Sequence, residues 1–366
     1  MKRLTTFALF IALFCTASAQ QTTTTLNVNN VFYPSYSSNE RAAITFPKVN
    51  GYEVITCDFH THTMFSDGLV WPALRVSEAW SEGMDAIAIT DHIEYRPFKN
   101  YTVNDHNTSY NIAKESADKL GFLLIKGTEI TRTQSIMGHF NALFIKDANL
   151  IDLKDPKEAL REARRQGAFI IWNHPGWAVD STYIRAFQQE VIDEGLIDGV
   201  EVFNNTEFYP RVMKWAIEKG LTVISASDVH GNIEKSRLEK YGVHRPLTLV
   251  FAKERTLEGI HEALKSGRTL AYFHNTLAGK EELARDFVNA SIKVSLLGIG
   301  AKNTDYSLVN QSDFTFKFNQ GKKVLELPAR SSAIITVPNN TSAVNLIFNN
   351  IFINENKVLA HDLQLK

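Results

Sequence analysis

Cysteine is almost missing from this chain. It has two, Cys15 and Cys57, and Cys15 falls in an N-terminal stretch that reads as a removable leader. No intrachain disulfide can then staple the mature protein. The fold must be held by its core, which a chain of 366 residues is long enough to bury. A surplus of either charge is missing as well: 39 basic side chains face 40 acidic ones, and loss of the leader removes only Lys2 and Arg3. Such a chain has no general pull toward nucleic acid or an anionic membrane, so any phosphate recognition has to be local. Past the leader, no apolar run is long enough for a transmembrane segment. There is no internal repeat and no long low-complexity run.

What is present starts with MKRLTTFALFIALFCTASAQ. A basic start, a short apolar run over Leu4–Phe14 and the small residues Ala17-Ser18-Ala19 predict a signal peptide over 1–19, cleaved near Ala19. The mature protein is then expected to be exported, either periplasmic or secreted. Phe14 before Cys15 does not suit lipid attachment. Residues 20–51, rich in Thr, Asn and Ser, read as an extended leader over the surface.

From 53 onward, short apolar runs alternate with helical patterns. The runs 53–59, 85–90, 122–128, 139–145, 168–173, 198–203, 221–227 and 247–252 suit strands buried on both faces. Helices are expected over 71–82, 156–166, 207–219 and 256–266. Asp155 is a good N-cap, and glycines follow the helix ends. This rhythm predicts α/β architecture, a (β/α) barrel over 52–275 with right-handed crossovers. After about 275 the pattern changes to short strands of alternating polarity separated by Asn, Gly and Pro turns. A small C-terminal antiparallel β-sandwich is expected over 276–366. It shows no catalytic cluster, and the sequence names no partner for it.

Nine side chains of metal-ligand type fall on this map: His60, His62, Asp67, His92, Glu129, His139, His174, Asp228 and His230. They include six of the 11 histidines. His60-Thr61-His62 and Asp228-Val229-His230 each place two ligands two residues apart, on one face of a strand. Most of the nine sit at C-terminal strand ends, where barrel enzymes keep their sites. His139 begins its strand and has to reach the site across the mouth. Imidazole with carboxylate and no thiolate suits Zn, Mn or Fe, and nine ligands suit two or three divalent ions. Any one of these histidines alone could be an ordinary core residue; the nine in this placement argue otherwise. His244, His261, His274 and His361 have no partner motif and read as structural.

The segments DFHTHTMFSDG, AITDH, KGTEI, GHFNAL, WNHPG and SDVH resemble the successive motifs of the PHP (polymerase and histidinol phosphatase) family, over about residues 52–275. The resemblance implies a distorted, TIM-like (β/α)7 barrel with a trinuclear metal cluster. It implies one metal held by His60, His62, Glu129 and Asp228, a second held by Glu129, His139 and His174, and a third held by Asp67, His92 and His230. Many members have a histidine where this chain has Asp67. The wording VWPALRVSEAW, DAIAITDHIEYRPF and IKGTEITR is similar to an exported subgroup typical of Bacteroidetes and usually described as phosphodiesterase-like.

The expected activity is hydrolysis of a P–O bond, of a diester rather than a monoester, by metal-bound hydroxide. Asp228, Glu129 and Arg132 are the expected catalytic residues. Arg132, Arg96, His106 and Arg245 are candidates to bind the phosphate of a small-molecule phosphoester; each has a plainer reading as an ion-paired residue. Tyr95 and Trp177 are candidates to line the pocket. Asp58 and Asp91 are candidates to orient ligands. Two other readings stay open: a metal-dependent hydrolase of C–N or carboxyl-ester bonds, favoured if no phosphate-binding arginine stands near the metals, and a metal-holding binding module without activity.

Overall fold

The computed structural model describes residues 41–233 and 244–365. The expected signal peptide lies outside the described residues, as does the expected leader before residue 41. The eight expected apolar runs are all strands: β1 (Glu53–Asp58), β2 (Ala86–Ile89), β3 (Leu123–Thr131), β4 (His139–Leu143), β5 (Phe169–Asn173), β6 (Gly199–Asn204), then after the short β7 (Glu207–Phe208), β8 (Thr222–Ala226) and β9 (Leu247–Ala252). Every residue of β2, β4, β5, β6, β8 and β9 is buried. Strands covered on both faces need apolar residues at consecutive positions, which is why they read as unbroken runs.

The pairings β1–β2, β2–β3, β5–β6 and β6–β8 are parallel. β4 is antiparallel to both β3 and β5, and β9 is antiparallel to β1. The sheet is therefore mixed, not the uniform βα repeat expected. The cause is local: only residues 132–138 join β3 to β4, too short for the crossover that a parallel pair requires. Closure also differs from expectation. Among the described residues, no ladder joins β8 to β1 or β9. The two ends meet instead through the single parallel bridge Thr61–Val229 and through side chains: Thr248 Oγ1 donates to Ser225 O (2.8 Å) and Thr269 Oγ1 to Val223 O (2.7 Å).

The four expected helices are present as Pro72–Ser81, Pro156–Arg165, Pro210–Lys219 and Leu257–Lys265. The Asp155 side chain caps the second of these, accepting from the Lys157 and Glu158 N–H groups. Helices Thr108–Leu120, Ala186–Asp193 and Glu281–Ser291 add to them. No described helix is long and apolar enough to cross a membrane.

The C-terminal strands form two antiparallel sets. One is β12 (Ile292–Ile299), β13 (Asn303–Asn310) and β16 (Ser332–Pro338). The other is β14 (Phe316–Gln320), β15 (Lys323–Leu327), β17 (Ala343–Asn354) and β18 (Lys357–Gln364). Both contribute to one apolar cluster with Phe287 of helix Glu281–Ser291. The second set is not a free-standing sheet. β17 pairs in parallel with β11 (Thr276–Gly279), which pairs with β10 (Thr269–Phe273) and so with β9. The ladder thus runs across residue 275, where the sequence suggested a boundary. The described part of the leader is held by two backbone N–H groups near its start: Ala42 N donates to Ser81 O (2.8 Å) and Thr45 N to Asp313 Oδ2 (2.6 Å).

Candidate metal centre

The ends of β1, β2, β3, β5 and β8 and the start of β4 lie together, and the nine expected ligands converge there. The antiparallel turn of β4 explains His139. Thr131 pairs with His139 and Glu129 with Asn141, so the first residue of β4 stands beside the last residues of β3.

The donor atoms form overlapping groups, among them three with these distances. In the first, His60 Nε2 is 3.5 Å from Glu129 Oε2 and 3.2 Å from Asp228 Oδ1; His62 Nε2 is 3.5 and 3.1 Å from the same two atoms. In the second, Glu129 Oε1 is 3.1 Å from His139 Nδ1 and 3.7 Å from His174 Nε2. In the third, Asp67 Oδ1 is 3.4 Å from His92 Nε2 and 3.2 Å from His230 Nε2. Glu129 offers one oxygen to each of the first two groups.

These atoms fit cations. Four ligands at about 2.0–2.1 Å around a tetrahedral ion stand about 3.3 Å apart, close to the separations in the first and third groups. His60 Nε2, Glu129 Oε2 and Asp67 Oδ1 are buried without a well-aligned hydrogen bond, although His92 Nδ1 lies 2.7 Å from Glu129 Oε2; a cation would complete them. Nitrogen and carboxylate donors without thiolate suit Zn, Mn or Fe. Cys57 is buried in β1 among apolar residues.

The charges support one another. Burial opposes a proton on His92, but Glu129 and Asp67 outweigh it and push its pKa up to about 10. Burial likewise disfavours the charged form of Glu129, yet His92 and His60 hold it well below the usual carboxylate range. Asp228 is held down in the same way, by His60 first. His62 goes the other way: burial, then the neighbouring His92, lowers it to about 4. Two ligands also sit in backbone conformations rare for side chains larger than glycine, His174 at φ 28° and Asp228 at φ 52°.

Glu201, in the middle of β6, was not picked out from the sequence. It is fully buried. Its Oε1 is 2.9 Å from His60 Nδ1, and its Oε2 accepts from His174 N (2.7 Å) and Asn204 Nδ2 (2.8 Å). One carboxylate thereby orients two ligands. The available signal was a lone acidic residue inside the apolar run GVEVF. Asn173 supports the bridge, donating to Glu129 Oε1 (3.0 Å). Asp58 and Asp91 bond to backbone N–H groups and side-chain hydroxyls rather than to imidazoles. Asp58 accepts from Ser227 N (3.0 Å) and Ser227 Oγ (2.6 Å), and Asp91 from Thr63 N and Ser66 Oγ (2.7 Å each).

A cavity of about 200 Å³ opens at the cluster, lined by seven of the nine ligands with Tyr95, Thr131 and Trp177. Tyr95 is 55% and Trp177 47% exposed. The candidate phosphate binders do not line it. The Arg132 guanidinium is held by the Glu94 carboxylate and by the carbonyls of Thr131 (2.8 Å) and Leu153 (2.9 Å). Arg96 donates to the carbonyls of Phe65, Val103 and Asn104. His106 faces Asp152 at 3.6 Å. Arg245 is buried between Glu82 (2.7 Å) and Asp58 (3.1 Å). The three arginines are engaged by nearby acids or carbonyls and none lines this cavity, though Arg245 Nη2 is left without a partner; burial lowers the pKa of His106 and so disfavours its charged form. Arg245 borders a second hollow of about 360 Å³ behind Asp228 and His230, whose rim includes Ile233 and His244, next to residues outside the described range.

Comparison with known proteins bears on the fold and the family. A crystal structure of a two-domain protein from Bacteroides vulgatus, described as containing a predicted PHP-like metal-dependent phosphoesterase, is 39% identical, with a TM-score of 0.85. The match covers 90% of this chain and 100% of that one. An uncharacterized protein of Methanocaldococcus jannaschii is 45% identical over 76 residues, 20% of this chain and 33% of that protein. The PHP domain pattern itself matches residues 58–292, well over half of the sequence, and the chain belongs to the PHP domain family.

Proposed function

We propose that this protein is an exported metal-dependent phosphoesterase that prefers phosphodiesters to monoesters. The observation that carries the reading is Glu129, whose two carboxylate oxygens face two adjacent groups of donors at one cavity. Two or three divalent Zn, Mn or Fe ions held there would activate water near neutral pH and stabilise the charge that builds on phosphoryl oxygens. His60, His62, Glu129 and Asp228 would hold the first ion, Glu129, His139 and His174 the second, and Asp67, His92 and His230 the third. The chain's own contribution is placement. Glu201 fixes the His60 ring so that Nε2 faces the cluster. Asp228, held as the carboxylate, has Oδ2 3.8 Å from His174 Nε2, where it keeps a negative charge facing the ions. Tyr95 and Trp177 at the rim are placed to cover the substrate and exclude solvent. The Bacteroides protein's description supports the phosphoester assignment.

The second reading, hydrolysis of a C–N or carboxyl-ester bond on the same site, keeps one observation in its favour. The arginines expected to grip a phosphate are engaged elsewhere. A panel of phosphomonoesters, phosphodiesters, amides and carboxyl esters, assayed with metal-reconstituted protein, separates the two. Turnover of diesters above monoesters is the expected result. Turnover confined to amides or carboxyl esters moves the assignment to the second reading.

A further inference from the structure

Arg75 is fully buried in the helix Pro72–Ser81, and none of its contacts is to a ligand side chain. Every nitrogen of its guanidinium is nonetheless used on the backbone behind the cluster. Nε donates to His62 O (3.1 Å), and Nη2 to His62 O (2.9 Å) and His230 O (3.1 Å). Nη1 donates to Gly231 O (2.9 Å) and to Glu78 Oε2 (2.7 Å). Glu78 in turn accepts from Ile233 N (3.2 Å).

The two carbonyls it holds belong to His62, which serves the first donor group through Nε2 and also stands with Asp67, His92 and His230, and to His230 itself; their rings stack 4.2 Å apart at 19°. The His230 carbonyl also accepts from Leu69 N (2.8 Å), two residues past Asp67, so the turn that carries Asp67 hangs on the same point. That turn lies so close to the His62 backbone that a Cβ on Gly68 would come within 2.6 Å of His62 C. Convergent carbonyls repel one another unless a donor stands between them. A planar cation with five fixed N–H groups does this in a way that a lysine ammonium cannot.

We infer that Arg75 is the positioning residue of the third cation site: it holds the carbonyls of His62 and His230 together, and so sets His230 and Asp67 at the distance from His62 that lets a third ion sit beside the first. The first group has three further donors from His60, Glu129 and Asp228. The third has only His92 outside the clamp.

The inference rests on reading the cluster as three cation positions, and its test does not depend on turnover. Full-length protein stripped by chelator is titrated with zinc against a chromophoric competitor, for wild type and R75K. The lysine keeps a cation beside Glu78 but cannot fork across the carbonyls. The expected result is three zinc ions for wild type. R75K should hold two with unchanged affinity and the third weakened roughly 10–100-fold, the usual range for groups that support ligands. Metal-free R75K loses buried hydrogen bonds, so its thermal midpoint should drop while the chain stays folded at the assay temperature, and cobalt-loaded R75K should lose one ion's share of the visible absorption. R75M strips Glu78 of its partner and is expected to destabilise the chain; R75M combined with E78Q removes that problem and should reproduce the loss of the third ion. A third ion bound by R75K as tightly as by wild type, or all ions weakened alike, overturns the role of Arg75. A wild type that takes up two ions overturns it as well, and one that takes up none removes the cation reading of the cluster itself.

Discussion

At the ends of β1, β3, β5 and β8 the interior holds imidazoles and carboxylates, two of them on strained backbone, and four of their buried nitrogen and oxygen atoms have no well-aligned hydrogen-bond partner. Between the C-terminal sheets the interior is phenylalanine. Phe314, Phe316, Phe318 and Phe348 are fully buried in edge or tilted contact. The buried amides there use their N–H groups on backbone carbonyls: Asn310 on Phe314 O (2.7 Å) and Pro328 O (2.9 Å), and Asn350 on Asn275 O (2.8 Å) and Thr315 O (2.9 Å). One region leaves several polar atoms open; the other, among the described residues, closes its buried amides and leaves Ser291 Oγ at its edge. Unsatisfied buried groups lower stability and are kept where a ligand completes them. Satisfied amides and packed rings stabilise the fold and leave nothing for a ligand to complete.

The comparison breaks first at Glu129. Glu129→Ala removes the carboxylate shared by two donor groups, so elemental analysis should show more than one ion lost. Phosphoester turnover should fall by more than about a hundredfold, the loss typical when a group that stabilises transition-state charge is removed. An ion content equal to wild type would end the bridging role.

The opposite region should answer in stability alone. Phe348→Ala opens a cavity in the C-terminal core at a cost of about 3–5 kcal/mol, read as a lower denaturation midpoint at unchanged ions per chain. Ions lost from the folded variant would show that the two regions are coupled, as the β11–β17 ladder allows.

The sequence shows this division in part. Apolar runs that end in His, Asp or Glu locate the strands and the candidate ligands, because a strand buried on both faces has few polar positions before its end. The direction of β4 was missed although the short 132–138 connection carries the signal. The link from β11 to β17 joins residues such as Leu277 and Ile351, and no local pattern encodes such a distant pair. Helix Thr108–Leu120 was passed over because its inward face is the small residues Ser109, Ala113 and Ala117, which give little apolar periodicity. The supporting residues Glu201 and Arg75 stand alone in their elements, and a side chain that serves a ligand from behind leaves no spacing motif. The arginines near the ligands were overvalued because sequence proximity cannot tell a cation facing a cavity from one answered by Glu94 or Glu82.

Glu201 sharpens the comparison, since it is a buried charge whose valence is filled by ligands. In Glu201→Gln the amide can turn its NH₂ toward His60 Nδ1. That nitrogen then accepts, and the proton moves to Nε2, the atom that faces the cluster. Turned the other way, the NH₂ meets the N–H groups of His174 and Asn204, which need an acceptor. Either way, metal affinity should fall roughly 10–100-fold in a protein that still folds, measured by competition with a chelator. Equal affinity would reduce Glu201 to a packing residue.

The smallest effect is expected at Arg132. It lies in the loop between two ligands, yet its guanidinium is held by Glu94 and by the Leu153 carbonyl, and no part of it lines the cavity. Arg132→Ala removes a half-buried ion pair and loop bonds, whose worth is on the order of 1 kcal/mol. The expected outcome is a small drop in thermal midpoint, full metal content and phosphodiester turnover within about threefold of wild type, a change of well under 1 kcal/mol in barrier. The loop can also be tested without removing the arginine. Glu94→Gln frees the guanidinium from its acid and leaves the carbonyl contacts, so turnover should again stay near wild type if Arg132 is a brace. If Arg132→Ala instead loses about a hundredfold at constant metal content, and Glu94→Gln gains, then the guanidinium swings to the phosphate when substrate binds. The open valence of the metal region would in that case extend one residue shell further than the unliganded geometry shows.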